Sequence, residues 1–196
     1  MPTFGNASAG INEYDWTIDE ITMCGRYPIR EAGAVSQLTF ALVNQATSHQ
    51  ACHAKGLIYD DDGAGGAPGT LMGLSQPVDI ADNADWGMYA CVFDGVVNLT
   101  AGNWWLCLIS DASATGLETM YSAITGGTFA ALYDTYADGP SNPASSPAYT
   151  DTSKLYVIAT YTRNPSRSIL TVPPHGPHAF KRRASTPPRK RFKVNV

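Results

Sequence analysis

The sequence predicts an all-β fold, an antiparallel sandwich, followed by an extended basic arm rich in proline. Three observations predict it. Short β-type runs recur at about 8–12 residue spacing between turn signals, the pattern of a sandwich or barrel. Gly (18) and Pro (13) are plentiful, which favours short elements over long helices. The charge changes sign abruptly at Arg163. With 196 residues, 44% of them apolar and 15% charged, the chain suits one globular domain plus extra length. No run of about 18 apolar residues is present, so no membrane partner is expected. The N-terminus has neither a basic nor an apolar signal region, so no secretory leader is expected.

In chain order, residues 1–20 read as a lead-in. Strands are expected at Ile21–Arg30, Ala34–Asn44, Ala51–Asp60, Thr70–Leu74, Val78–Ala81, Gly87–Asp94, Asn103–Ser110 and Leu155–Thr162. Leu38, Phe40 and Leu42 fit a strand face, and the Val, Thr and Phe content decides for strand over the competing helical stripe. In Tyr89–Phe93 the aromatics and Cys91 share one face. Trp104-Trp105-Leu106-Cys107-Leu108-Ile109 is apolar on both faces, as in a strand covered on both sides. Adjacent Trp104 and Trp105 point opposite ways, one into the core and the other a candidate surface aromatic. Leu117, Met120, Tyr121 and Ile124 read equally as a short helix, and that segment stays open. Asp138–Pro147 is a loop leading to the last strand.

The residues carry little sign of catalysis or cofactor binding, and neither is expected. Gly63–Gly69 lacks the Gly-Lys-Ser/Thr of a phosphate loop and the spacing of a dinucleotide fingerprint, so it reads as a hairpin turn. Asp60-Asp61-Asp62 fails as a calcium loop, because Ala64 and Leu71 fall where ligands are needed; carboxylates also suit turns, where they accept backbone N–H groups. Cys24, Cys52, Cys91 and Cys107 read as four reduced core thiols, since no pair has zinc spacing and each sits in an apolar run. Cys52 and His53 are neighbours on a strand and face opposite ways. No metal is expected.

The charge layout is more informative. From Met1 to Thr162, Arg26, Arg30, Lys55 and Lys154 stand against all 17 acids, 4 − 17 = −13; from Arg163 to Val196 there are nine Lys or Arg and no acid, +9. An acidic body with a basic tail is the layout of an interaction arm. The sequence therefore divides into a domain at 1–162 and an arm at 163–196. The arm holds Pro165, Pro173, Pro174, Pro177, Pro187 and Pro188 and too few apolar residues for a core of its own. At roughly 3 Å per residue it spans about 100 Å. Arg163, Arg167, Lys181, Arg182, Arg183, Arg189, Lys190, Arg191 and Lys193 are the candidate partner-binding cations, with Phe180 and Phe192 as apolar anchors beside them. Aromatics next to charge suit a protein groove better than bare phosphate; nucleic acid remains the alternative partner.

Leu57-Ile58-Tyr59-Asp60, Gly66-Ala67-Pro68-Gly69-Thr70-Leu71 and Ala101-Gly102-Asn103-Trp104-Trp105-Leu106-Cys107-Leu108 together resemble a β-sandwich module of tailed-bacteriophage virion proteins. Trp104 stands where that family has Tyr. Thr135–Pro143 and Ile158–Tyr161 resemble its later segments, so the likeness covers residues 1–162. It implies a jelly-roll-like fold in a minor tail, fibre or head-decoration protein. The corresponding expectation is a non-enzymatic virion component, assembled in the host cytoplasm, with other capsid or tail subunits as partners. It is expected to be a homo-oligomer, with a trimer as the first choice. The alternative is a lectin-like module in host attachment, binding a surface glycan through Trp16, Trp86, Trp104 and Trp105.

Overall fold

A computed structural model describes residues 2–8, 12–16 (backbone), 21–44, 51–111, 117–122, 128–134 and 136–164. Fourteen strands and one 3-10 turn make up its regular structure: β1 Thr3–Asn6, β2 Asn12–Trp16, β3 Ile21–Ile29, β4 Gly33–Asn44, β5 Cys52–Asp60, β6 Leu71–Leu74, β7 Val78–Ile80, β8 Gly87–Leu99, β9 Gly102–Ser110, β10 Leu117–Ser122, β11 Phe129–Tyr133, β12 Pro147–Asp151, β13 Lys154–Leu155 and β14 Val157–Arg163. All pairings are antiparallel, in two sheets packed face to face, so the expected sandwich is what the chain forms.

The first sheet runs β1-β14-β4-β10-β13, with β8 also on β4 and β2 on β10. Its axis is the 12-residue β4, where Phe40 lies between Tyr89 of β8 and Val157 of β14, and where Leu42 pairs with Thr119 of β10. The second sheet runs β12-β11-β3-β9-β5-β6, with β7 also on β5. There β9 is central: Cys107 lies opposite Cys24 on one side and Leu57 on the other.

Strand periodicity then sorts the side chains. Met23, Tyr27 and Ile29 of β3, Ala54 and Ile58 of β5, and Trp104, Leu106 and Leu108 of β9 point between the sheets. They meet Val35, Leu38, Phe40 and Leu42 of β4, with Cys91, Phe93 and Val97 of β8. The alternate residues Cys24, Leu57, Tyr59, Trp105, Cys107, Ile109, Ala130 and Leu132 form a second cluster on the outer face. It is covered by the loop before β12, because Tyr136 and Ala144 pack on it. Tyr59 Oη donates to Ser141 O (3.1 Å), and Ala144 N–H donates to Gly69 O (2.8 Å), which pins the loop down. Both faces of β9 are therefore buried, as its composition predicts.

Several expectations change. Residues 1–20 contain two strands, since β1 pairs with β14 and β2 with β10. The open segment at Leu117 is a strand: β10 buries Leu117 and Thr119 on one face, and the Thr119 hydroxyl donates to Ala41 O (3.2 Å). The loop expected to run straight into the last strand ends at Ser146, and β12 and β13 follow before β14. The four-thiol expectation is wrong, because Cys24 and Cys107 form a disulfide. They are direct register partners on adjacent strands, and a neighbouring-strand pair brings Cβ atoms close enough to bond. Cys52 and Cys91 are free and buried. Among the described residues no helix is long and apolar enough to cross a membrane.

Candidate functional site

Of the sequence-predicted binding residues, Arg163 is described. It closes β14, and its Nε lies 3.3 Å from Glu31 Oε2, both side chains more than half exposed. An exposed pair of this kind contributes little to stability. Arg167, Phe180, Lys181, Arg182, Arg183, Arg189, Lys190, Arg191, Phe192 and Lys193 lie outside the described residues.

The structure also shows how the body's own charges are disposed. Two of the body's four cations are engaged within it. Arg26 pairs with Asp61, which also accepts from Trp105 Nε1 (3.1 Å); Lys55 Nζ sits 4.1 Å from the centre of the Tyr136 ring. Meanwhile Asp79, Asp82, Asp85, Asp94 and Asp138 are exposed. The body's acidic excess is thus a surface property.

The Asp60–Asp62 run does turn chemistry. Asp60 Oδ1 accepts from Asp61 N–H (2.7 Å), and Asp62 accepts from both the N–H (2.7 Å) and the hydroxyl (2.6 Å) of Thr70. These bonds hold the Asp62 carboxyl below its ordinary range. Gly65 and Gly66, at φ 71° and 77°, supply the left-handed backbone that the Gly63–Gly69 turn needs. His53 is ligated too. Its N–H and Nδ1 meet the two oxygens of Asp111 (2.6 and 2.7 Å), and Nε2 lies 3.4 Å from Asp79. This arrangement fastens β7 and the end of β9 to β5. Cys52, on the opposite face of β5, has its thiol pushed up to about 11, first by burial and then by the Asp111 charge.

The tryptophans divide sharply. Trp104 and Trp105 are 3% and 1% exposed, so neither offers a stacking surface to a glycan. Trp86 is half-buried and accessible; for Trp16 the backbone alone is described. Trp86 lines a groove of about 270 Å³ on the outer face of the first sheet with Ala41, Gly87, Met88, Met120 and Tyr156. Local bonds explain its position. Asn44 N–H donates to Ala84 O (3.0 Å) and its side-chain amide to Ala81 O (3.0 Å), which anchors the turn before β8 at the end of β4. Tyr156 N–H donates to Met120 O (2.8 Å), which sets those two side by side. Sequence reasoning missed this groove because its walls come from four separate segments. The usable signal was Met88, an apolar residue on the solvent-facing side of β8, which is 53% exposed. No family model matches the chain, and no curated protein matches its sequence.

Proposed function

We propose that this chain is a non-enzymatic structural or accessory component of a bacteriophage particle, of head-decoration or minor-tail type. In this reading the sandwich is displayed outward and the basic arm fastens it to neighbouring subunits. The observation that carries the reading is where the charge divides. The sandwich's last strand ends at Arg163, and from that residue on the chain turns from an excess of acid to nine cations and no acid. An arm of this composition gains affinity from many modest contacts linked along one chain. The resemblance of residues 1–162 to virion sandwich modules supplies the setting. Copies on a symmetric particle associate with one another, and a trimer is the proposed state.

Deleting Arg163–Val196 tests this. The truncated chain should keep its β-sheet circular dichroism and cooperative melting yet be lost from density-purified particles. Retention at the full-length level would overturn the reading. The glycan alternative now rests on Trp86 among the tryptophans whose side chains are described. A glycan array probed with the full chain and with Trp86→Ala decides it: binding that depends on Trp86 favours the alternative.

A further inference from the structure

We infer that the cleft between Arg30 and Arg163, at one end of the sandwich, receives the acidic Asp82–Asp85 turn from the opposite end of a second copy. The inference deepens the proposed self-association by naming its contact, and it rests on no other part of that reading.

Strand ends build the cleft. β3 closes at Ile29 and is followed by Arg30 and Glu31, while β14 closes at Arg163, opposite Gly33 at the start of β4. β1 pairs with β14 and brings Thr3 and Phe4 alongside, with the Phe4 ring edge-on to Tyr161 at a centroid distance of 5.6 Å. These residues enclose about 360 Å³. Glu31 offsets one of the two guanidiniums, since its Oε2 lies 3.3 Å from Arg163 Nε. Arg30 is exposed, and among the described residues no carboxylate pairs with it. The cleft therefore keeps a positive charge on a body that is otherwise strongly acidic. A guanidinium presents its N–H groups in a fixed fork that matches a carboxylate, so the fitting ligand is an acidic side chain.

The matching acid stands at the far end of β4. The turn between β7 and β8 exposes Asp82 and Asp85 and has no cation from Ala81 to Trp86. Three bonds fix its shape. Ala84 N–H donates to Ala81 O (3.3 Å), Asn44 N–H to Ala84 O (3.0 Å), and the Asn44 side-chain amide to Ala81 O (3.0 Å). A turn already held in one conformation loses little entropy on docking. Ala81 and Ala84 are small and leave the two carboxylates prominent.

The length of β4 selects the copy. Gly33 and Asn44 are its first and last residues, about 36 Å apart at 3.3 Å per residue, so no chain can place its own turn in its own cleft. A second copy can. Two acidic bodies repel in most orientations, and setting the cationic end of one against the acidic turn of the other is the approach that charge favours. Cleft and turn are different surfaces, which makes the contact head-to-tail. Such contacts close into rings when the rotation between copies allows, as a trimer requires.

Charge reversal in purified full-length protein tests this by sedimentation velocity, with no particle involved. Arg30→Glu and Asp85→Arg each set like charges against one another when the variant meets itself. Both positions are exposed, and circular dichroism matching the native chain confirms that each variant folds. The native chain should self-associate, less strongly as salt rises, and each variant alone should do so about tenfold more weakly. In an equimolar mixture every contact between the two variants again joins opposite charges, so association should return to the native level. Single variants that associate as strongly as the native chain would overturn the inference, including the case in which the arm alone holds the copies together. A mixture no stronger than either variant, or a native chain that sediments as a monomer, would overturn it as well. Particles that retain the arm-deleted chain would overturn the virion reading and leave this contact standing.

Discussion

Trp105 is the residue on which the outer cluster turns. Its ring is almost wholly buried against the second sheet, and its indole N–H donates to Asp61, the partner of Arg26. Two substitutions separate these contributions. Trp105→Phe keeps most of the packing and loses one hydrogen bond to a charged group, so it should cost about 1–2 kcal/mol. Trp105→Ala empties the site and should cost about 3–5 kcal/mol. Urea denaturation of the two variants checks the order; equal losses would mean that the hydrogen bond, rather than the ring, stabilises the cluster. The cysteines give a second residue-scale prediction. In denaturant without reductant, thiol titration should find two reactive groups per chain, from Cys52 and Cys91. Reduction should then raise the count to four and lower stability by about 2–4 kcal/mol, because the bond joins positions 83 residues apart. Four reactive thiols before reduction would contradict the pairing.

At the scale of elements, the sheets come close enough at the middle of β5 that the strand needs the absence of a side chain there. A Cβ on Gly56 would lie 3.0 Å from Cys91 Cβ and 3.2 Å from Leu38 Cδ1, across the core. Gly56→Ala should therefore cost about 1–3 kcal/mol through overpacking. Thermal melting of this variant beside Gly95→Ala, where a Cβ would meet nothing within 4 Å, isolates the effect. Elements were legible wherever the strand signal lay within one segment. β9 and β14 alternate or saturate in apolar residues, and their burial follows that pattern. β10 was not legible, since its Leu, Met and Tyr spacing also fits a helix and its pairing with β2, β4 and β13 makes the decision. β11 is rich in Ala, a weak strand former, and β12 opens on Pro147. A proline is tolerated there because β12 is an edge strand and Pro147 its first residue. The disulfide was hidden for a related reason: only the register of β3 against β9 sets Cys24 beside Cys107. The groove at Trp86 was equally invisible, because Ala41, Met88, Met120 and Tyr156 meet only once the first sheet has assembled.

For the whole molecule, charge and titration define the working range. Burial pushes the Cys91 thiol up to about 12 and the Cys52 thiol to about 11, against an ordinary value of 9.0. Burial likewise raises Tyr27 and Tyr59, and it raises Tyr136 to about 12. All these groups hold their protons more tightly when folded. The stability they contribute is complete below about pH 9 and is lost as pH rises through 11 and 12. Urea midpoints at pH 7.5, 9 and 10.5 should show a plateau and then a fall; a midpoint that rises with pH would contradict the burial of these groups. The electrostatic contrast between the two parts of the chain is set by sequence, and its consequence is an attachment that salt must weaken. The most direct test is to measure how much protein remains on purified particles as sodium chloride is raised, for the native chain and for one with its nine arm cations replaced by Gln. The native chain should be retained at low salt and released progressively, while the neutral-arm chain should be absent at every salt concentration. Equal, salt-independent retention of both chains would contradict the account.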